Sequence, residues 1–166
     1  MTDRARAMCI NLTLLSASLL LLPPPAAQLN GQEAWDRGQI VDRNSGQCLI
    51  ARGNRDDGVA ITQGPCHRDD ERQSWQMRRT GEIVSRFSGK CVGVSNGSMD
   101  NGKPVIQWEC NGHESQRWEM RRSGEIVNRN SGKCMGVLGA SMQDGAAVVQ
   151  WECNGHDDQK WSVQIR

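Results

Sequence analysis

One segment of this chain is written three times. Gln150-Trp151-Glu152-Cys153-Asn154-Gly155-His156-Asp157-Asp158-Gln159-Lys160-Trp161 is a near-copy of Gln107-Trp108-Glu109-Cys110-Asn111-Gly112-His113-Glu114-Ser115-Gln116-Arg117-Trp118, and a more diverged version runs from Cys66 to Trp75. The closing tryptophans at 75, 118 and 161 are 43 residues apart. A fixed period is the sequence mark of a repeat architecture. Three units imply a pseudo-threefold object whose equivalent positions meet near one axis.

The units align from Gly38, Gly81 and Gly124, giving repeats over 38–80, 81–123 and 124–166. Each opens on a short apolar strand (Gln39-Ile40-Val41, Glu82-Ile83-Val84, Glu125-Ile126-Val127), then turns at Asn44-Ser45-Gly46, Phe87-Ser88-Gly89 and Asn130-Ser131-Gly132. A second strand carries the first cysteine of the unit: Cys48, Cys91 or Cys134. A longer polar loop closes on Asp57-Gly58, Asn101-Gly102 or Asp144-Gly145 and leads to a third strand (Val59-Ala60-Ile61, Pro104-Val105-Ile106, Ala146-Ala147-Val148-Val149). A fourth strand follows the recurring Gln-x-Trp. No segment keeps a helical period, so about twelve short strands point to an all-β, barrel-like fold.

Residues 1–27 differ in kind. Arg4 and Arg6 precede an apolar run from Leu12 to Leu22, and Pro23-Pro24-Pro25-Ala26-Ala27 follows. This is the pattern of a secretory signal peptide with cleavage near Ala27, and the run is short for a membrane span. A short segment, 28–37, then leads into the repeats, with Trp35 expected to pack on the first of them. Without residues 1–27, Lys+Arg falls from 20 to 18 and Asp+Glu from 19 to 18, so the remainder is neutral. A neutral chain lacks the basic excess of a nucleic-acid binder.

Cysteine usage agrees with export. Cys9 lies in the leader, and six others remain, two in each unit. Their spacings of 18, 19 and 19 residues (66−48, 110−91, 153−134) select Cys48–Cys66, Cys91–Cys110 and Cys134–Cys153 out of 15 possible connectivities.

Gln73-Ser74-Trp75, Gln116-Arg117-Trp118 and Gln159-Lys160-Trp161, in register with six paired cysteines, resemble the ricin-type β-trefoil lectin family over roughly residues 38–163. The resemblance implies a β-trefoil: three four-stranded repeats around a pseudo-threefold axis. Trp75, Trp118 and Trp161 are then expected in the core. Gln73, Gln116 and Gln159 are expected to tie the loop of each unit, and Gln116 and Gln159 to lie beside a bound sugar.

Trp108 and Trp151 stand two residues before the second cysteine of their units, where unit one has Gly64. A core need would apply to all three units, so the asymmetry points to exposure. In the resembled family an aromatic residue here stacks on a sugar ring, and that role falls on Trp108 and Trp151. Simple packing of both indoles on their loops is the competing reading.

The family's usual aspartate two residues after the first cysteine is missing, because Ile50, Gly93 and Gly136 occupy the position. Asp158, His156 or Asp144 could replace that acceptor in unit three, and Asp100, Asn101 or His113 in unit two. Asp158, ionised at neutral pH, makes unit three the better site. Unit one has neither platform nor acceptor.

Cys110-Asn-Gly-His113 and Cys153-Asn-Gly-His156 offer one histidine per unit and a cysteine that already has a partner, so neither a metal nor any other cofactor is expected. No constellation suits catalysis: Asp69-Asp70-Glu71 and Asp157-Asp158 read as solvated runs without a pocket to separate their pKa values. Arg78-Arg79 and Arg121-Arg122 read as a solvated edge, and Asn96-Gly97-Ser98 as a glycosylation sequon in a eukaryotic host.

The expectation is a secreted, non-catalytic lectin-like protein with carbohydrate as its partner. The alternative is a trefoil that has lost sugar binding and serves as a subunit contacting another secreted polypeptide.

Overall fold

The computed structural model describes residues 34–166, so the expected signal peptide at 1–27 and most of segment 28–37 lie outside the described residues. Twelve strands fall into three units of four. Unit one contains β1 (Trp35–Asp42), β2 (Cys48–Ala51), β3 (Ile61–Gly64) and β4 (Trp75–Met77). Unit two contains β5 (Ile83–Ser85), β6 (Cys91–Val94), β7 (Lys103–Trp108) and β8 (Trp118–Met120). Unit three contains β9 (Ile126–Asn128), β10 (Cys134–Val137), β11 (Val148–Trp151) and β12 (Trp161–Ile165). The only helical turns among the described residues are three-residue 3-10 segments, and three of these end on the glutamines of Gln-x-Trp.

The outer strands of the units form a closed ring. β1 pairs with β4, β4 with β5, β8 with β9, and β12 returns to β1. Single bridges, Glu82 to Arg117 and Glu125 to Lys160, complete the circuit between β5 and β8 and between β9 and β12. The inner strands form three hairpins, β2–β3, β6–β7 and β10–β11, which meet one another through β7–β11 and the bridges Ala60–Ile106 and Thr62–Ala147. Six barrel strands under a triangular hairpin cap are the β-trefoil expected from the repeat. Closure removes the free strand edges that an open sheet would present.

The interior is built in symmetric layers. Ile40, Ile83 and Ile126 are fully buried, as are Leu49, Val92 and Met135, and Ile61, Val105 and Val148. Trp75, Trp118 and Trp161 fill the remaining space, and each indole Nε1 donates to the carbonyl of the second residue of the cysteine strand: Leu49 (3.0 Å), Val92 (2.9 Å) and Met135 (2.9 Å). A large apolar ring with one satisfied polar atom suits this place, because an unpaired N–H there would cost more than the ring gains over a phenyl. The disulfides Cys48–Cys66, Cys91–Cys110 and Cys134–Cys153 are formed, one within each unit. Trp35 is buried against the same core and pairs with Met77.

Candidate functional site

Three glutamines that the sequence reading passed over hold the surface loops in place. Gln63, Gln107 and Gln150 are fully buried at the start of the stretch leading to each second cysteine. Gln107 Nε2 donates to the carbonyls of Asn54 (3.1 Å) and Asp56 (2.9 Å), while its Oε1 accepts from Ser88 Oγ (2.9 Å). Gln150 does the same to Ser98, Asp100 and Ser131, and Gln63 to Ser141, Gln143 and Ser45. Each glutamine therefore grips the long polar loop of the preceding unit, and unit one grips unit three. The signal was present as a glutamine three residues before the second cysteine of every unit, but only the tertiary structure reveals what it holds.

This hand-over decides which loop walls which cleft. Trp108 of unit two packs beside Gly58 of unit one, and the ring carbon of Trp151 lies 3.3 Å from where a side chain on Gly102 of unit two would begin. The loops are locked by a side chain at the same place: Asp57 Oδ1 accepts from the Glu109 amide (2.7 Å), and Asn101 Oδ1 from the Glu152 amide (3.1 Å). Asp57 also pairs with Lys90 at 2.7 Å, which holds its carboxyl below the usual carboxylate range.

Supported from behind in this way, Trp108 and Trp151 keep 44% and 43% of their surface in water. Each borders a shallow cleft. Beside Trp108 the cleft is about 260 Å³, with Asn96, Asn111, His113 and Ser115 on its rim. Beside Trp151 it is about 330 Å³, with Leu138, Ala140, Asn154, His156 and Asp158. Both are close to the lower end of the size range of ligand pockets, and each combines a flat aromatic face with a few convergent polar groups.

Gln116 and Gln159 also touch these clefts, but both amides are spent on the backbone. Gln116 Nε2 donates to the Glu109 carbonyl (2.8 Å) and its Oε1 accepts from the Asn111 amide (3.0 Å). Gln159 repeats the pattern with Glu152 (3.0 Å) and Asn154 (2.9 Å), and Gln73 with Pro65 and His67. Their first task is to fold the loop that carries the second cysteine.

Gly93 and Gly136 form the floors, and neither has room for a side chain. A Cβ on either would stand 2.9 Å from the Cγ of Gln116 or Gln159. On Gly136 it would also lie 3.6 Å from Asp158 Oδ2, so in unit three a carboxylate from the 3-10 turn of Asp157–Gln159 occupies the space beside the absent aspartate. Half-buried Asp158 is thereby brought to the same cleft as Trp151 and His156. In unit two the corresponding residue is the buried Ser115.

Three expected substitutes fall elsewhere. Asp100 does not line the unit-two cleft; its carboxylate accepts from Ser98 Oγ (3.1 Å) and pairs with Lys103 at 3.7 Å. Asp144 does not serve unit three; it reaches Gly64 in unit one and forms an ion pair with Arg52. Asn101 does not serve unit two; it locks the backbone beside Trp151. The glutamine grip explains the latter two, because it carries each loop over to the next unit. Unit one has Pro65 where units two and three have Glu109 and Glu152, and proline has no amide for Asp144 to accept from. Its cleft is lined by Arg52, His67, Asp70, Arg72 and Asp144, with Arg72 paired to Asp70 at 2.8 Å.

Cys110 and Cys153 are bound in disulfides, and no group of three or more histidine, cysteine or acidic side chains among the described residues is placed to hold a metal ion.

A search of the curated proteins finds no match. Among solved structures, the chain is similar to ThreeFoil, a designed three-fold symmetric protein, at 32% identity and a TM-score of 0.75, covering 78% of this chain and 99% of that one. It is also similar to an exo-beta-1,3-galactanase from Clostridium thermocellum, at 28% identity and a TM-score of 0.74, over 79% of this chain but only 30% of the enzyme. The C-half of an earthworm R-type lectin, solved with GalNAc, shares the fold at 16% identity and a TM-score of 0.67, covering 79% of this chain and 99% of that one. The family described as the ricin-type beta-trefoil lectin domain matches residues 36–161, and this chain belongs to it.

Proposed function

We propose that this protein is a secreted, non-catalytic carbohydrate-binding protein in which sugar rings stack on Trp108 and Trp151. The observation that carries the reading is the contrast within one molecule: the tryptophans of Gln-x-Trp are fully or almost fully buried, while these two stay about half in water beside clefts edged by polar groups. An indole face takes the C–H side of a pyranose, and the rim groups pair with hydroxyls that would otherwise lose water without compensation. Asp158 serves as the acceptor in unit three, and Gln116 and Gln159 bind sugar only through whatever capacity their loop-tying bonds leave. Family membership supports carbohydrate as the ligand class, and three intact disulfides fit an extracellular setting. Two shallow sites on one domain gain strength on multivalent glycans through effective concentration.

A second reading has a specific observation in its favour. The floors at Gly93 and Gly136 have no room for the expected aspartate, as a trefoil turned to protein interaction would allow. A glycan array with the wild type, Trp108→Ala, Trp151→Ala and the double variant separates the two. The lectin reading expects each single variant to weaken binding and the double variant to abolish it while the fold is retained. Absence of any hit at millimolar sugar, or hits unchanged in the double variant, supports the interaction module instead.

A further inference from the structure

The two tryptophan clefts differ in one turn that walls them. In unit two that turn is Ser95-Asn96-Gly97, and in unit three it is Leu138-Gly139-Ala140. The substitution removes both polar side chains of the turn, Ser95 and Asn96, and adds hydrocarbon at Leu138 and Ala140. Leu138 is 48% exposed and lines the Trp151 cleft with Ala140 and the buried Val149. A lone exposed leucine would be unremarkable in a folded domain, but one set against a half-exposed tryptophan and a valine is a patch in a pocket.

Ala140 adds an independent observation. Its φ is 51°, in the left-handed region, where the equivalent Gly97 has φ 60°. Glycine adopts that conformation freely and alanine does not. Unit two carries its own left-handed non-glycine residue on this turn, Asn96 at φ 55°, so the two turns share a backbone shape and differ in what they present there: an amide in unit two and a methyl group in unit three. Asn154, His156 and Asp158 line the same cleft, so it offers hydrocarbon together with hydrogen-bonding groups.

Resting on the sugar-binding reading above, the geometry points to a 6-deoxyhexose as the ligand of unit three, its methyl group on Leu138 and Ala140, its C–H face on Trp151 and its hydroxyls toward Asp158. A hydroxymethyl group in that position would lose water against a wall without a side-chain donor or acceptor. An acetamido carbonyl would suffer the same loss. Unit two, with Asn96 on its wall, has no such preference.

Matched sugar pairs that differ only at carbon six test this: D-fucose against D-galactose, and L-rhamnose against L-mannose. Binding is followed on the full chain through the Trp151 indole N–H resonance, assigned with Trp151→Phe. The expected result is tighter binding of the deoxy member at unit three by about fourfold, the worth of one methyl removed from water. Both members of a pair should shift the Trp108 resonance equally. Leu138→Ser with Gly139→Asn and Ala140→Gly, which copies unit two and relieves the left-handed alanine, should fold and bind the two members of each pair alike at Trp151. If 6-hydroxy sugars, or N-acetylglucosamine and N-acetylgalactosamine, bind Trp151 as well as or better than the deoxy sugars, the proposal is overturned and the lectin reading stands. If no sugar of any type perturbs Trp151 or Trp108, both fall.

Discussion

Replacing Trp75 with phenylalanine tests the claim that the three Gln-x-Trp indoles form the core while Trp108 and Trp151 do not. Trp75 is fully buried, and its Nε1 donates to the Leu49 carbonyl at 3.0 Å. Phenylalanine keeps the six-membered ring and deletes the pyrrole edge. The two lost carbons are worth about 2 kcal/mol at about 0.8 kcal/mol each. Leaving the Leu49 carbonyl without its donor costs about 1–3 kcal/mol more. The sum, about 4 kcal/mol, is a large share of the roughly 5–15 kcal/mol that stabilises a domain. Urea unfolding with the disulfides intact should show it as a midpoint lowered by about 2 M, for a slope of about 2 kcal/mol per M. Trp151→Ala, on a residue 43% in water, should lose less than about 1 kcal/mol in the same assay. A loss below about 1 kcal/mol for Trp75→Phe, or equal losses for the two variants, would refute the division between core and surface indoles.

The remaining predictions concern the loops, the buried carboxyl and the cross-links. Gln150→Leu removes two donations to the Ser98 and Asp100 carbonyls and the acceptor of Ser131 Oγ, so stability should fall by about 3 kcal/mol and amide exchange should accelerate in 98–102 more than elsewhere. Unchanged protection there would show that the backbone alone holds the loop. Asp42 is fully buried with Oδ1 unpartnered, and its carboxyl is pushed up from the ordinary 3.8, first by burial and, in a smaller measure, by the charge of Asp158, against the lowering effect of its Ser45 bonds. A raised native pKa favours the protonated folded form, so this contribution is present below pH 3.8 and is lost as pH rises through the native value. At the equivalent position Asn128 Nδ2 donates to the Ser115 carbonyl at 2.9 Å. Asp42→Asn should therefore stabilise the protein at pH 7 by about 1 kcal/mol or more, with its advantage over the wild type shrinking as pH falls toward 3.8; a destabilised variant at pH 7 would contradict it. Deleting Cys91–Cys110, which closes a loop of 19 residues, by a double alanine substitution should cost about 3 kcal/mol in the same urea assay.

Much of the architecture was legible because the chain states it three times. A 43-residue period with apolar triplets such as Ile40, Ile83 and Ile126 forces equivalent side chains to share one interior, and two cysteines per unit leave one symmetric pairing. The break in symmetry at Gly64, Trp108 and Trp151 likewise pointed to exposure without any coordinates. What the sequence could not say is which unit's loop walls which cleft. Asp144 and Asn101 sit in the sequence of units three and two, yet they act in units one and three, because the buried Gln63 and Gln150 pull those loops across the unit boundary. A hydrogen bond between residues 50 to 80 positions apart leaves no local pattern. The same holds for Asp158, whose approach to Gly136 depends on the packing of a 3-10 turn against a strand. Periodicity and residue type determined the fold and its two outlying indoles; the contents of each cleft were decided by contacts between units, which exist only once the ring has closed.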